Sequence, residues 1–282
     1  MPMTYLETPT QRVMSGNGIE YAYRDLGQSD IPVVLLIHFR GNLDNWDPAL
    51  IDALAANRRV ITFDNVGVGA TTGTTPPTIA SMARGAIDFV EALGLQQVDL
   101  LGFSIGSFVA QEFALIRPDA IRRLVLAASA PQGAAGMHGW AADVIASVGQ
   151  PVTDPQGYLD VFFASSDTSR LAGQQAMGRI FGRTTNNDEP TTWQTRQAHY
   201  DAVCAWGIPN HALLERLRAI AVPAFVACGD GDPMILPRYS HLLVGLLPDA
   251  RLKIYPDAAH GFLFQHHAGF ASDVNAFLDN PD

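Results

Sequence analysis

Short, wholly apolar segments alternate with amphipathic helical patterns along most of this chain of 282 residues. The segment VVLLI at 33–37 is rich in β-branched residues and has no polar face, which is typical of a strand buried on both faces of a parallel sheet. Segments of the same kind lie at 60–63, 98–101, 124–128, 224–228 and 252–255. Their alternation with helices predicts an α/β fold with a mostly parallel sheet and helices on both faces.

Two helices and one hairpin are predicted most clearly. Apolar residues recur at helical spacing over 79–90, and a second apolar stripe occupies 105–116 before Pro118 ends it. Near the N-terminus, the sequence RVMSGNGIEYAYRD at 12–25 predicts a β-hairpin that turns at the Gly-Asn-Gly of 16–18. This hairpin should form an antiparallel edge of the sheet.

The alternation breaks between Pro131 and about Arg216. This stretch has no clear strand and is rich in aromatic residues, so we expect helical fragments separated by Gly and Pro. The strand–helix pattern resumes at Val222. We therefore expect a core made of residues 1–130 and 216–282, with a helical insertion at 131–215 between two parts of the same sheet.

The charge balance argues against polyanions as the main partners. The chain carries 18 Lys+Arg against 28 Asp+Glu, a formal net charge of −10, and has no basic stripe of the kind that nucleic acids and anionic membranes require.

We find neither a signal-peptide pattern at the start nor an apolar segment long enough to span a membrane. Cys204 and Cys228 form no Cys-x-x-Cys pair. We expect a cytoplasmic protein with a small-molecule substrate, and take a homodimer as the default assembly.

The strongest local motif is Gly-Phe-Ser-Ile-Gly at 102–106, which directly follows one predicted strand and directly precedes a predicted helix. A nucleophile on a sharp strand-to-helix turn needs small neighbours, and Gly102 and Gly106 remove the Cβ atoms that would clash there. The hydroxyl of Ser104 is then presented at the start of the helix. We interpret Ser104 as a nucleophile, the alternative being a Gly-rich turn with an incidental serine.

A serine nucleophile needs a general base, and the base needs an acid that orients it. His260 comes just after the segment at 252–255 and just before the last predicted helix, which makes it the candidate base. The other histidines, His38, His138, His199, His211, His241, His266 and His267, are interpreted as packing or solvent residues.

Two carboxylates compete for the role of the acid, because Asp230 and Asp232 both follow the segment at 224–228. Asp230 follows the strand closely and could support the turn instead. Asp232 has Pro233 behind it and Pro237 at the start of a helix, which places it better to reach a histidine. We favour Asp232.

Five segments, VVLLIHFRG, FDNVGVGATT, GFSIG, GDGDPMILP and DAAHGF, together resemble the α/β-hydrolase superfamily over nearly the whole chain. The resemblance implies an α/β-hydrolase fold, with a mostly parallel eight-stranded sheet flanked by helices and a helical cap inserted after strand 6. It also implies a catalytic triad of Ser104, Asp232 and His260. The oxyanion hole of this family uses main-chain N–H groups, which fall here on Ile105 and, by position after the third strand, on Arg40.

The chain departs from the family pattern at two places. Family members usually have His-Gly after the third strand, whereas this chain has His38-Phe39-Arg40, so the Phe39 N–H is the alternative second donor. The Arg40 guanidinium could meet an anionic substrate group or be solvated or salt-bridged. The turn DNVGVGAT at 64–71 lacks the usual Arg and Ser, which alters a structural turn and leaves the triad intact.

Ser104 stands where dehalogenases and epoxide hydrolases of this superfamily place Asp, so the resemblance implies acyl chemistry. We expect a carboxylesterase-like serine hydrolase, without cofactor or metal, that cleaves a small, fairly apolar carboxylic ester or related acyl compound. The alternatives are a cofactor-free perhydrolase similar to the non-haem haloperoxidases, a lactonase, a carbon–carbon bond hydrolase, and a non-catalytic receptor for a small molecule. Six aromatic residues of the insertion either line the pocket or form the insertion's own core: Trp140, Phe162, Phe163, Trp193, Tyr200 and Trp206.

Overall fold

A computed structural model describes residues 3–137, 139–150 and 154–280, so His138 lies outside the described residues. The strands are β1 (Gln11–Met14), β2 (Glu20–Leu26), β3 (Val33–Leu36), β4 (Val60–Phe63), β5 (Val98–Phe103), β6 (Ile121–Ala127), β7 (Ala224–Gly229) and β8 (Ala250–Tyr255). The helices are α1 (Pro48–Ala55), α2 (Ile79–Ala92), α3 (Ile105–Ile116), α4 (Ala142–Val148), α5 (Pro155–Phe162), α6 (Asp167–Ile180), α7 (Trp193–Trp206), α8 (His211–Glu215), α9 (Pro237–Leu246), α10 (Phe262–Gln265) and α11 (His267–Leu278).

The eight strands form one sheet in the order β1-β2-β4-β3-β5-β6-β7-β8. The pairs β1–β2 and β2–β4 are antiparallel, and every other neighbouring pair is parallel. The structure therefore confirms the predicted mostly parallel eight-stranded sheet and its antiparallel edge hairpin. All residues of β3, β5 and β7 are buried, which fits strands covered by helices on both faces. In the described ranges no helix is both long and apolar enough to cross a bilayer.

Two glycines allow α3 to begin directly on the sheet. A Cβ atom on Gly106 would lie 2.1 Å from the carbonyl oxygen of Leu36 at the end of β3. A Cβ atom on Gly102 would lie 2.4 Å from the carbonyl oxygen of Gly106 itself. Neither distance leaves room for a methyl group, so a larger residue at either position must displace the backbone that carries Ser104.

The helices α4–α8 lie between β6 and β7 in the chain, and two of them make specific contacts with the core. Trp206 of α7 stacks on Phe108 of α3 with ring centroids 5.1 Å apart, and its Nε1 donates to the carbonyl oxygen of Ala130 at 3.0 Å. At the end of α5, the carbonyl oxygen of Phe162 accepts from the Gly261 N–H at 2.7 Å. These contacts tie the segment to the core, while its delimitation as a cap at 131–215 stays a prediction.

Two carboxyl groups join the end of β4 to the segment between α6 and α7. Asp64, which is fully buried, and Asp188 both accept from the Leu43 N–H, at 2.9 Å and 3.3 Å. Burial, reinforced by the neighbouring Asp188 carboxylate, raises the pKa of Asp64 well above its usual range. Asp64 therefore keeps its proton in the folded protein at pH values at which the unfolded chain loses it.

We expect Gly106→Ala to lower the free energy of unfolding by about 1–3 kcal/mol, because the added methyl group must push α3 away from β3. Gly245→Ala is the matched control, since a Cβ atom on this α9 glycine meets no heavy atom within 4 Å. It should be neutral or stabilising, because alanine favours the helix more than glycine does. Urea unfolding measures both variants, and equal midpoints for the two would contradict the role of the close contact.

Asp64→Asn should make stability less sensitive to pH. A folded-state pKa raised above the unfolded value gives stability that is complete below the unfolded pKa of about 4 and is lost as the pH rises toward the folded pKa. Asparagine imitates the protonated acid and does not titrate, so the free energy of unfolding of the variant minus that of wild type should rise from about pH 5 to pH 8. Urea titrations at several pH values measure this difference. The control is Asp30→Asn at an exposed carboxylate, and a flat or falling difference for Asp64→Asn would refute the assignment.

Candidate active site

Ser104 occupies the turn between β5 and α3 in a backbone conformation with φ 57° and ψ −125°. A positive φ is unfavourable for a residue other than glycine, so the neighbouring contacts must hold it. The Ser104 N–H donates to the carbonyl oxygen of Ala127 at 2.9 Å, and its carbonyl oxygen accepts from Ser107 Oγ at 2.5 Å. The first amides of a helix have no intrahelical acceptor, so the N–H of Ile105 is available beside the Ser104 side chain. Ser104 therefore lies on a sharp strand-to-helix turn, which is the kind of turn predicted from the sequence.

His260 and Asp232 form a buried hydrogen-bonded pair. Nδ1 of His260 lies 2.8 Å from Oδ2 of Asp232, and the two side chains are 1% and 0% exposed. The other carboxylate oxygen of Asp232 accepts from the amides of Met234 and Ile235, both at 2.9 Å. With Nδ1 donating to the carboxylate, Nε2 carries the lone pair, and it meets no hydrogen-bond partner in the described part of the chain. The imidazole is therefore oriented to accept a proton at Nε2.

Asp230 does not reach His260 but holds the turn that precedes it. Its two carboxylate oxygens accept from the amides of Asp257 and Ala258, both at 3.1 Å. Asp232 and Asp230, which spacing left in competition, thus have separate partners. The structure brings Asp232 together with His260 and assigns Asp230 to the turn.

The loop after β3 carries Arg40, whose N–H is the predicted second oxyanion donor. In the structure this N–H already donates a hydrogen bond to a side chain of another element. The Arg40 N–H donates to Nδ1 of His199, on α7, at 3.1 Å. The Arg40 side chain extends in another direction, where Nη1 donates to the carbonyl oxygen of Gln150 at 2.7 Å. His199, interpreted from sequence as a packing or solvent residue, therefore contacts the loop on which the oxyanion hole was predicted. No sequence signal identified this contact, because it joins residues far apart in the chain.

His38 and His199 are buried histidines beside this loop that stay neutral. Burial lowers the pKa of each to about 4. Nδ1 of His38 lies 2.9 Å from the carbonyl oxygen of Phe39, so Nδ1 is the protonated nitrogen. The rings of Phe103 and Phe162 pack edge-on against His38, with centroids 5.4 Å and 5.2 Å away.

A cavity of about 590 Å³ is lined by Ser104, His260 and His38 together with Phe39 and Arg40. Its size lies within the range of sites for small molecules. Much of the remaining wall is apolar and comes from the helices between β6 and β7 and from the residue that follows α6: Val148, Tyr158, Phe162, Met177, Ile180 and Phe181. The Tyr158 hydroxyl is buried and has no hydrogen-bond partner among the described residues.

Of the six aromatic residues predicted as pocket candidates, only Phe162 lines this cavity in the described structure. Trp206 and Phe163 are buried at 2% and 1% exposure, and Trp140 packs edge-on against Phe39 at 4.9 Å. Trp193 and Tyr200 instead contact the Arg196 guanidinium. Sequence reasoning missed Met177 and Ile180, which lie three residues apart on α6, because an aliphatic pair at this spacing predicts a buried helix face equally well.

Comparisons with known proteins agree with this architecture. A family model described as the alpha/beta hydrolase fold matches residues 32–267. An alpha/beta hydrolase fold protein from Chitinophaga pinensis is 40% identical, with a TM-score of 0.92 over 99% of this chain and 100% of that chain. The Mycobacterium tuberculosis protein BpoC, whose name assigns it provisionally to the non-heme bromoperoxidases, is 28% identical over 88% of this chain and 93% of its own length.

A more distant structure, the enol-lactonase from Burkholderia xenovorans, is 21% identical with a TM-score of 0.77 over 96% of this chain and 100% of that chain. At this identity the likeness concerns the fold alone. The family model covers most of the sheet and reaches from the start of β3 into α11. The chain belongs to the α/β-hydrolase fold family.

Proposed function

We propose that this protein is a serine hydrolase that cleaves a small, fairly apolar carboxylic ester or related acyl compound. The observation that carries the proposal is the 2.8 Å hydrogen bond between His260 Nδ1 and Asp232 Oδ2. It leaves Nε2 as the basic nitrogen of an imidazole that lines the same cavity as Ser104. A hydroxyl nucleophile, a neutral base and a carboxylate that orients the base are the set that acyl transfer requires.

In the proposed reaction, Nε2 of His260 takes the hydroxyl proton of Ser104 while Oγ forms a bond to the carbonyl carbon of the ester. The carbonyl π electrons move to oxygen, which gives a tetrahedral oxyanion. His260 then gives its proton to the leaving oxygen as the carbon–oxygen bond breaks, and the acyl group stays on Ser104. Water, deprotonated by His260, then attacks the acyl carbon. His260 returns that proton to Oγ of Ser104 as the bond between Oγ and the acyl carbon breaks, which releases the carboxylic acid. Asp232 stabilises the imidazolium in both half-reactions.

Two main-chain N–H groups are proposed to stabilise the oxyanion. The first is that of Ile105, at the start of α3. The second comes from the loop after β3, where the Arg40 N–H would have to leave His199 before it could serve, whereas the Phe39 N–H meets no acceptor among the described residues. Each such donor is worth about 3–4 kcal/mol in the transition state.

The wall of the cavity supports the proposed substrate class. Its apolar residues suit an alkyl or aromatic group on either side of the scissile bond, because burying such a group stabilises the complex by about 25 cal/mol per Å². We propose that the segment at 131–215 acts as a cap, since its helices and loops together supply most of the residues that line the cavity.

A second candidate activity is perhydrolysis, in which hydrogen peroxide replaces water as the acceptor of the acyl group. The similarity to BpoC is the observation that favours perhydrolysis as a second candidate. The chemistry would use the same Ser104, His260 and Asp232, with peroxide in place of water in the second half-reaction and a peracid as the product.

Ser104→Ala should abolish hydrolysis of p-nitrophenyl esters, with kcat/KM reduced by at least about 10³-fold, because the attacking oxygen is lost. A series from acetate to dodecanoate, assayed with wild type and variant side by side, measures both the dependence on Ser104 and the acyl length that the cavity prefers. Thermal unfolding of both proteins controls for folding.

A Ser104→Ala variant that kept most of its activity would refute the serine mechanism. If wild type cleaved none of these esters, lactones, carbon–carbon substrates and acetate with peroxide would be assayed next. Failure of all of these would refute the proposed catalysis and favour a non-catalytic receptor.

Asp232→Asn should lower kcat by about 10⁴-fold, because the amide no longer stabilises the imidazolium or fixes its tautomer. Asp230→Asn is the matched control two residues away. It keeps one oxygen acceptor for the turn at Asp257 and Ala258, so its kcat should stay within about tenfold of wild type. Similar losses of kcat in both variants would show that the two carboxylates are not functionally distinct.

A further inference from the structure

The peptide group between Phe39 and Arg40 is held at both ends by histidines. Its carbonyl oxygen accepts from Nδ1 of His38 at 2.9 Å, and its N–H donates to Nδ1 of His199 at 3.1 Å. In a trans peptide these two groups point in opposite directions, so the two hydrogen bonds oppose rotation of the same plane. His38 belongs to the loop itself, whereas His199 comes from α7 in the segment between β6 and β7.

This support is needed because the backbone of Arg40 is strained. Its φ is 61°, in the left-handed region that residues with a Cβ atom adopt only at a cost in free energy. A flip of the Phe39–Arg40 peptide by about half a turn changes φ of Arg40 by the same angle and returns it to the ordinary negative region. The same flip would break both histidine hydrogen bonds, so these bonds stabilise the strained conformation against its relaxed alternative.

The orientation of this peptide decides which amide of the loop can act on a substrate. In the orientation held by His199, the Arg40 N–H is engaged, and the neighbouring Phe39 N–H meets no acceptor among the described residues. Phe39 lines the cavity together with Ser104 and His260. A flipped peptide would turn the Arg40 N–H away from α7 and toward the side on which His38 lies.

Further contacts hold the same loop to the same segment. Thr191 Oγ1 donates to the carbonyl oxygen of Arg40 at 3.0 Å, and Asn42 Nδ2 donates to the carbonyl oxygen of Glu189 at 2.9 Å. The ring of His199 also packs near that of Phe39, with centroids 6.0 Å apart. Because burial keeps the pKa of His199 near 4, Nδ1 remains an acceptor throughout the neutral range.

We propose that His199 is a positioning residue for the oxyanion hole: by accepting from the Arg40 N–H it fixes the Phe39–Arg40 peptide so that the Phe39 N–H, and not that of Arg40, is the second oxyanion donor. The inference rests on the proposed serine hydrolase function. Helix α7, none of whose described residues lines the cavity, would thereby contribute to transition-state stabilisation. His199 itself acts only through the loop.

The test compares His199→Phe with His199→Asn. Phenylalanine keeps a ring against Phe39 but accepts no hydrogen bond, whereas asparagine places Oδ1 where it can accept as Nδ1 does. For each variant we would measure kcat and KM on the preferred ester, and Ki for a trifluoromethyl ketone analogue of that ester, which forms an anionic adduct with the serine. Amide hydrogen exchange at Arg40 reports the bond itself without reference to activity.

We expect His199→Phe to lower kcat by about 10- to 100-fold and to weaken the ketone by a similar factor, because one oxyanion donor is misaligned. KM should stay within about twofold, since an interaction made only in the transition state does not affect substrate binding. Exchange at the Arg40 amide should accelerate in the same variant. His199→Asn should restore kcat to within about threefold of wild type.

An unchanged or higher kcat in His199→Phe would overturn the proposal, because it would mean that the Arg40 N–H is the donor and that His199 withholds it. Equal impairment in both variants, with KM raised, would also overturn it by assigning His199 a purely structural role.

Failure of the proposed function has a separate signature, namely the absence of Ser104-dependent turnover in wild type. In that case a crystal structure of His199→Phe decides the peptide claim: a flipped Phe39–Arg40 peptide supports it, and an unchanged one refutes it.

Discussion

The contact between the start of α3 and the end of β3 is the constraint on which the rest of the site depends. Because Gly106 brings its backbone against Leu36, the turn that carries Ser104 lies directly beside the loop that follows β3. Ser104 in the same turn has a φ of 57°, and the amide of Ile105 follows it at the start of α3. Ser104, the proposed nucleophile, and the proposed oxyanion loop are therefore neighbours through backbone packing and do not depend on side-chain contacts between them.

The segment between β6 and β7 supports both sides of the site. On one side, the end of α5 accepts hydrogen bonds from the amides of His260 and Gly261 through the carbonyl oxygens of Val161 and Phe162. On the other side, α7 holds the Arg40 amide through His199. A displacement of these helices would alter the positions of the proposed base and of the proposed oxyanion donors together. Substrate-dependent movement of the segment would therefore affect catalysis as well as access to the cavity.

The sequence predicted the sheet, the hairpin and the turn at Ser104 because each depends on local patterns. Two glycines and an apolar strand are enough to specify a strand–helix turn. The choice between Asp230 and Asp232 rested on the position of nearby prolines. In the structure both carboxylates accept from amides, and of the two it is Asp232 that also meets an imidazole, that of His260. The contact between Arg40 and His199 could not be predicted, because it depends on how an inserted helix packs on a distant loop.

The electrostatics of the site assign the proposed proton transfer to one of three buried histidines. His260 alone among His38, His199 and His260 contacts a carboxylate within the described structure, through the 2.8 Å bond to Asp232. The pKa values of His38 and His199 are lowered to about 4 by burial, so both of these rings stay neutral near pH 7. His38 and His199 thus serve as neutral hydrogen-bonding groups for the loop after β3, and the carboxylate of Asp232 orients His260 for the proposed proton transfer.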